Sequence, residues 1–182
     1  MNYTRDDLFS VAKRYNNSKR NYLIVNKKQS KYLPTKPSDT LEMVTTLAKK
    51  AEVVNTDDRI DFEEQTLVIG FAETATAIGA QAAITLETKY IQTTREVIPD
   101  ARYLFFSEAH SHATEQKLVK DDIDRVINDI DRIVFIEDEV TTGNTIMNII
   151  KIITKEYQKK TKFAVASLLN GMTEEYLKIY QD

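Results

Sequence analysis

The stretch 132–145, RIVFIEDEVTTGNT, constrains this chain more than any other part of it. Ile133, Val134, Phe135 and Ile136 form an apolar run without polar alternation. That pattern belongs to a strand buried on both faces, as in a parallel sheet covered by helices. Three carboxylates, Glu137, Asp138 and Glu139, follow the run and are expected to end the strand. Thr141, Thr142, Gly143, Asn144 and Thr145 come next, and an apolar helical pattern begins at Ile146. Hydroxyls, a glycine and the free backbone N–H groups of a helix start make a cradle for a phosphate. The adjacent acids suit the hydroxyls of a sugar, or a hydrated magnesium ion in a phosphate's company. An anion site and a polyol site on one turn point to a ribose phosphate.

The rest of the chain repeats the strand–turn–helix alternation. Strands are expected over residues 21–26, 66–69, 90–95, 132–136 and 162–169, with a short one over 103–107. Helical spacing covers 6–15, 40–51, 77–88, 121–130, 144–157 and 173–180, with Asp39 or Thr40 as the N-cap of the second. Residues 27–39 are basic and carry Pro34 and Pro37, and 57–64 are acidic; both read as exposed irregular segments. Strands separated by helices predict an α/β fold with a parallel sheet covered on both faces. Right-handed crossovers then bring the strand C-termini to one edge, where such sheets bind ligands. The turns at Gly70 and Gly143 both follow a strand C-terminus.

Composition narrows the function classes. At 182 residues the chain is expected to be a single domain, residues 1–182, with room for a sizeable core. There is no cysteine, so no disulfide framework and no thiolate zinc site, which fits a cytoplasmic protein. The start, MNYTRD, is too polar for a secretory signal, and no apolar run approaches membrane-spanning length. A net charge of −3 argues against a general nucleic-acid binder. Neither a G-x-x-x-x-G-K-[ST] nor a G-x-G-x-x-G motif is present.

The segment from Ile133 to Thr145 resembles the phosphoribosyl diphosphate (PRPP) binding motif of the type I phosphoribosyltransferases: an apolar strand, two acids, two variable positions and a Thr/Gly-rich turn into a helix. Further stretches are similar to a narrower branch, the orotate-phosphoribosyltransferase-like proteins of bacterial tellurite-resistance and stress operons. They are KRNYLIV at 19–25 with KYLP at 31–34, GFAETAT at 70–76, TTRE at 93–96 and SEAHSHATE at 107–115. The resemblance spans about residues 19–171. It implies a Rossmann-like type I phosphoribosyltransferase fold with an N-terminal segment (about 1–60) that includes a small hood, a core (about 61–171) and a mobile lid loop. It also implies a homodimer, by analogy, and a magnesium-dependent transfer of ribose 5-phosphate from PRPP to a base-like acceptor. Members of this branch often continue into a further C-terminal domain, so the resemblance leaves two expectations, a separate partner chain or a minimal form.

Residue by residue, the resemblance implies that Glu137 and Asp138 bind the ribose 2- and 3-hydroxyls, with magnesium held mainly by PRPP itself near these two acids. Thr141, Thr142, Gly143, Asn144 and Thr145 would bind the 5-phosphate. Gly70, Phe71, Ala72, Glu73 and Thr74 would form the pyrophosphate loop. Glu73 departs from the pattern, because other branches often carry a lysine near this point and a carboxylate repels pyrophosphate. Arg95 is either a guanidinium for the pyrophosphate or a surface arginine paired with Glu96. Glu108, His110, His112 and Glu115 read as part of the lid that excludes water, ahead of a zinc site or a solvated loop. Lys31 and Tyr32 are candidates to hold the acceptor base, by charge and by stacking. The alternative function is a regulator or partner subunit that binds PRPP or a nucleotide without turnover.

Overall fold

Two strand-to-helix turns, at 70–76 and 140–144, organise the fold. The computed structural model describes residues 3–15, 21–52, 64–106 and 116–180. The chain divides into two units, Met1–Thr46 and Leu47–Asp182. Among the described residues no helix is long and apolar enough to cross a membrane.

In the first unit a single helical turn, α1 (Arg5–Leu8), is closed by a capping box in which the Thr4 hydroxyl accepts from the Asp7 N–H and the Asp7 carboxylate accepts from the Thr4 N–H. The chain then turns extended. Strand β1 (Phe9–Lys13) pairs antiparallel with β2 (Tyr22–Asn26), placing Phe9 opposite Asn26. The helix expected over 6–15 therefore stops at Leu8, because the ladder to β2 satisfies backbone groups that a lone amphipathic turn would leave to water. Helix α2 (Pro37–Glu52) starts earlier than expected. Proline suits the first helical position, where its missing N–H costs nothing. The Lys36 carbonyl accepts from the Asp39 and Thr40 N–H groups, and Thr40 is not the cap: its hydroxyl donates to the Lys28 carbonyl at 2.6 Å.

The second unit holds β3 (Thr66–Gly70), α3 (Thr76–Thr85), β4 (Lys89–Thr94), β5 (Tyr103–Phe105), β6 (Lys117–Val119), α4 (Lys120–Asp124), β7 (Arg132–Val140), α5 (Asn144–Tyr157), β8 (Lys162–Asn170) and α6 (Glu174–Ile179). A 3₁₀ turn at Ile127–Asp129 follows α4. The sheet order is β5-β6-β4-β3-β7-β8. Strands β4, β3, β7 and β8 are parallel, whereas β6 and β5 extend the sheet antiparallel. The fold is thus the expected α/β architecture with a mostly parallel sheet.

Several boundaries differ from the sequence expectation. The β7 strand does not end at Ile136 but runs through the carboxylates to Val140, because β8 continues to pair with it at Glu137↔Ser167 and Val140↔Asn170. The helix expected over 121–130 is one short helix and a 3₁₀ turn; both still place Ile123, Ile127 and Ile130 in the core. Of the acidic segment 57–64 only Glu64 is described; the residue is partly buried rather than exposed, its side chain largely covered and paired with Arg132 (2.8 Å) and Lys162 (3.1 Å). Strand β6 had no sequence signal of its own, being three residues long.

The core is built where these elements meet. Leu67, Ile69, Ile133, Phe135, Ile146, Ile149 and Ile153 are fully or almost fully buried, and Phe71 sits edge-on to Phe106 and tilted against Phe135. Helix α3 comes unusually close to β3: a Cβ on Gly79 would lie 2.8 Å from the Gly70 Cα. The Tyr90 hydroxyl closes this contact by donating to the Thr76 carbonyl at 2.7 Å. The result is a fixed start for α3 directly beyond the C-terminus of β3.

Candidate functional site

In the sheet order, β3 is flanked by β4 on one side and by β7 on the other. The chain therefore leaves β3 in one direction and returns on its far side. A crevice opens at such a switch point, outside the C-terminal strand ends. The 70–75 turn and the 140–144 turn both emerge there.

The first turn is held from two neighbouring strands and from Gln116, the residue before β6. The Phe71 N–H donates to the Ile136 carbonyl of β7 at 3.1 Å. The Ala72 N–H donates to the fully buried Thr93 hydroxyl of β4 at 2.8 Å, and the Ala72 carbonyl accepts from the Gln116 side-chain amide at 3.3 Å. Within the turn the Ala75 N–H reaches the Phe71 carbonyl and the Thr76 hydroxyl reaches the Glu73 carbonyl. The Ala72–Glu73 peptide is cis. Phe71, Ala72 and Ala75 are buried beneath the turn, which leaves Glu73 and Thr74 outermost.

The second turn carries the acids. Successive residues of an extended strand point to opposite faces. Asp138 consequently leaves β7 on the opposite side from Glu137 and Glu139. Asp138 is buried, and its carboxylate accepts from the Thr74 hydroxyl at 2.9 Å, which ties the two turns together. The Glu137 carboxylate folds back to accept the Asp138 N–H at 3.1 Å, and Glu139 faces solvent. The extended strand thus separates the two acids that the sequence places side by side.

Beyond Val140, Gly143 takes φ +74°, a left-handed conformation that a side chain disfavours. No side chain caps α5, whose first residues Asn144 and Thr145 are exposed. The Asn144 N–H makes only a long contact of 3.4 Å to the Thr142 hydroxyl. Three threonine hydroxyls and a left-handed glycine therefore surround the N-terminus of a 14-residue helix, where the backbone dipoles favour an anion.

Arg95 follows the end of β4 and is partly buried. It makes no ion pair with Glu96; instead its Nε is buried without a hydrogen-bond partner. The β4–β6 register, Thr93↔Leu118 and Thr94↔Lys117, continued by one step places Arg95 opposite Gln116, whose Oε1 is likewise buried without a partner. A donor and an acceptor thus end beside the 70–75 turn with unused capacity. Lys31 and Tyr32 belong to the first unit, with the Lys31 ammonium 5.4 Å from the Tyr32 ring centre and the ring half-exposed. Glu108, His110, His112 and Glu115 lie outside the described residues. Among those described, no group of three or more His, Asp or Glu is placed to hold a metal ion.

Sequence reasoning found both turns but missed three contributors. Thr93 lies in a recognised stretch without an assigned task, and nothing in the mostly polar strand KYIQTT marks it as buried. Gln116 and Tyr180 act on backbone atoms far away in sequence, the latter donating to the Gly143 carbonyl at 2.6 Å, and no local pattern marks either.

A family model described as phosphoribosyl transferase matches residues 8–181. No curated protein matches the sequence. Among solved structures the chain is similar to adenine phosphoribosyltransferase from Rhodothermus marinus, at 12% identity and TM-score 0.58 over 91% of this chain and 95% of that one. The enzyme of the same name from Thermoanaerobacter pseudethanolicus gives 12% identity and TM-score 0.56 over 90% and 95%. That of Saccharomyces cerevisiae, solved with adenine and D-2,5-dideoxy-2,5-imino-altritol 1,6-bisphosphate, gives 9% and 0.55 over 94% and 87%. At such identities these neighbours establish a common fold. With the family match covering nearly the whole sequence, the chain belongs to the phosphoribosyl transferase family.

Proposed function

We propose that this protein transfers ribose 5-phosphate from PRPP to a nitrogenous, base-like acceptor and releases pyrophosphate, or runs the same reaction in reverse. The observation that carries this reading is the hydrogen bond from Thr74 to the buried Asp138. It ties Asp138, two residues before the end of β7, to the 70–75 turn, which supports reading the acid, the 5-phosphate turn after it and the pyrophosphate turn as one site. In the forward direction the bond from the anomeric carbon to the pyrophosphate oxygen breaks, and a bond from that carbon to the acceptor nitrogen forms. The chain is asked for little covalent chemistry. It aligns the two reactants and places positive charge where negative charge develops.

Asp138 receives the ribose hydroxyls, with Glu137 joined to it by the resemblance rather than by its face of β7; the Thr141–Thr145 turn receives the 5-phosphate, and the backbone of 70–74 receives the pyrophosphate. Arg95, with a buried Nε lacking a partner, supplies planar donors to the departing group. Asp138, and on the other face of β7 Glu137, each offer carboxylate oxygens, and either suits magnesium, which binds through one or two carboxylates together with substrate oxygens. When bound with PRPP it would neutralise part of the pyrophosphate charge. Lys31 and Tyr32 are assigned to the base, and 108–115 to a lid that excludes water from the oxocarbenium-like centre. A cytoplasmic homodimer, and a setting among tellurite-resistance or stress functions, complete the proposal by resemblance.

The exposed Glu73 carboxylate in the pyrophosphate turn favours one competing reading, a PRPP- or nucleotide-binding regulator without turnover. A pyrophosphate-release assay with PRPP, magnesium and a panel of purine, pyrimidine and related heterocycles separates the two. Release with any acceptor, lost in Asp138→Asn, supports the transferase. Saturable PRPP binding with no release across the panel supports the regulator.

A further inference from the structure

We propose that Tyr180, at the end of α6, is a positioning residue for the phosphate turn: its hydroxyl holds the Gly143–Asn144 peptide so that the Asn144 N–H points at the bound 5-phosphate. This inference rests on the reading of residues 141–145 as a phosphate cradle.

The Tyr180 hydroxyl donates to the Gly143 carbonyl at 2.6 Å. The same carbonyl accepts from the Met147 N–H at 3.0 Å, the first hydrogen bond of α5. A trans peptide is planar, and its C=O and N–H point in opposite directions. Two donors that fix the Gly143 oxygen therefore also fix the direction of the Asn144 N–H, on the other side of the same plane. That N–H now makes only the 3.4 Å contact to Thr142, which a phosphate oxygen can readily replace.

The turn is shaped for this contact. A Cβ on Gly143 would collide with the Tyr180 hydroxyl, and would lie 2.6 Å from both the Tyr180 Cζ and the Met172 methyl carbon. The absent side chain thus leaves the space that Tyr180 fills, besides permitting φ +74°. Tyr180 is itself held in place. The Gly171 N–H donates to the Val140 carbonyl at 2.8 Å and the Met172 N–H to the Asn170 side chain at 3.0 Å, so the chain returns over the turn as soon as β8 ends. The Tyr180 ring and Met172 pack against the core cluster. Burial pushes the phenol above its ordinary value, so the hydroxyl stays a donor throughout the neutral range.

The test is calorimetric binding of ribose 5-phosphate and, separately, of pyrophosphate with magnesium, on wild type and Tyr180→Phe. The substitution removes one hydroxyl and keeps the ring. Ribose 5-phosphate binding is expected to weaken about three- to tenfold, the scale of one hydrogen bond, with pyrophosphate binding unchanged. The Asn144 amide resonance should shift in the unliganded variant. Equal ribose 5-phosphate binding by both proteins overturns the inference while leaving the transferase reading standing. A matching loss for both ligands also overturns it, since a merely structural residue would act on the whole unit. No ribose 5-phosphate binding by wild type removes the cradle reading and this inference together. Gly143→Ala, alone and with Tyr180→Phe, gives a second measure: coupled rather than additive losses are expected, and strict additivity counts against the contact.

Discussion

Asp138 illustrates how one residue links the two halves of the site. A buried carboxylate needs partners, and the Thr74 hydroxyl supplies one of them at 2.9 Å. Thr74→Val should leave that carboxylate less well satisfied and the 70–75 turn less firmly tied. We expect PRPP affinity to fall about five- to tenfold, on the scale of a hydrogen bond to a charged group, with Thr74→Ser recovering most of it. Titrations of the two variants check this. Arg95→Lys keeps the charge and loses the planar fork, so pyrophosphate binding should weaken while ribose 5-phosphate binding does not. Tyr90 gives a prediction in pH. Burial raises its phenol to about 12 from an ordinary 10.0. The unfolded chain therefore releases this proton first as pH rises, and the stability due to the neutral phenol is complete below about 10 and lost between about 10 and 12. Urea midpoints measured across that range should fall for wild type, and fall less steeply for Tyr90→Phe.

At the scale of elements, packing and pairing decided what local pattern could not. Helix α5 occupies the expected 144–157 because its signals are local: a glycine before it, polar residues at its start, and apolar residues at helical spacing. The end of β7 was not legible, since three acids resemble a turn until β8 is seen to pair with Val140. Likewise the apolar spacing of Ile123, Ile127 and Ile130 fits one helix, yet a shorter helix and a 3₁₀ turn bury the same residues. That region is then fastened by Asp124. Burial opposes its charge, but hydrogen bonds from Lys120, Tyr157 and Arg102 win and hold its carboxyl below the ordinary value. Tyr157→Phe removes the 2.7 Å bond that joins α5 to α4 and should cost about 1 kcal/mol in urea denaturation. Ile149→Ala, deep in the core face of α5, should cost about 2–5 kcal/mol by leaving a cavity.

At the scale of the whole molecule, a parallel sheet covered by helices was legible because buried parallel strands and intervening helices leave a strong pattern, whereas the order β4-β3-β7-β8 comes from the fold. Of the antiparallel addition only β5 was legible, as a short strand; β6, three residues long, and the antiparallel pairing were not. The same division holds for the site. The two turns proposed to hold ligand stand out in the sequence, 70–76 by its glycine and small residues after a strand and 137–145 by acids, hydroxyls and a glycine in one run. The residues that brace them, Thr93, Gln116 and Tyr180, contact backbone atoms from remote strands and a remote helix, which only the fold brings together. The most direct test of the account is a calorimetric titration of PRPP, with and without magnesium, on wild type and on the double variant Glu137→Gln, Asp138→Asn. The account predicts micromolar, magnesium-dependent binding by wild type that the double variant loses while remaining folded. Absence of binding by folded wild type, or undiminished binding by the double variant, would contradict it.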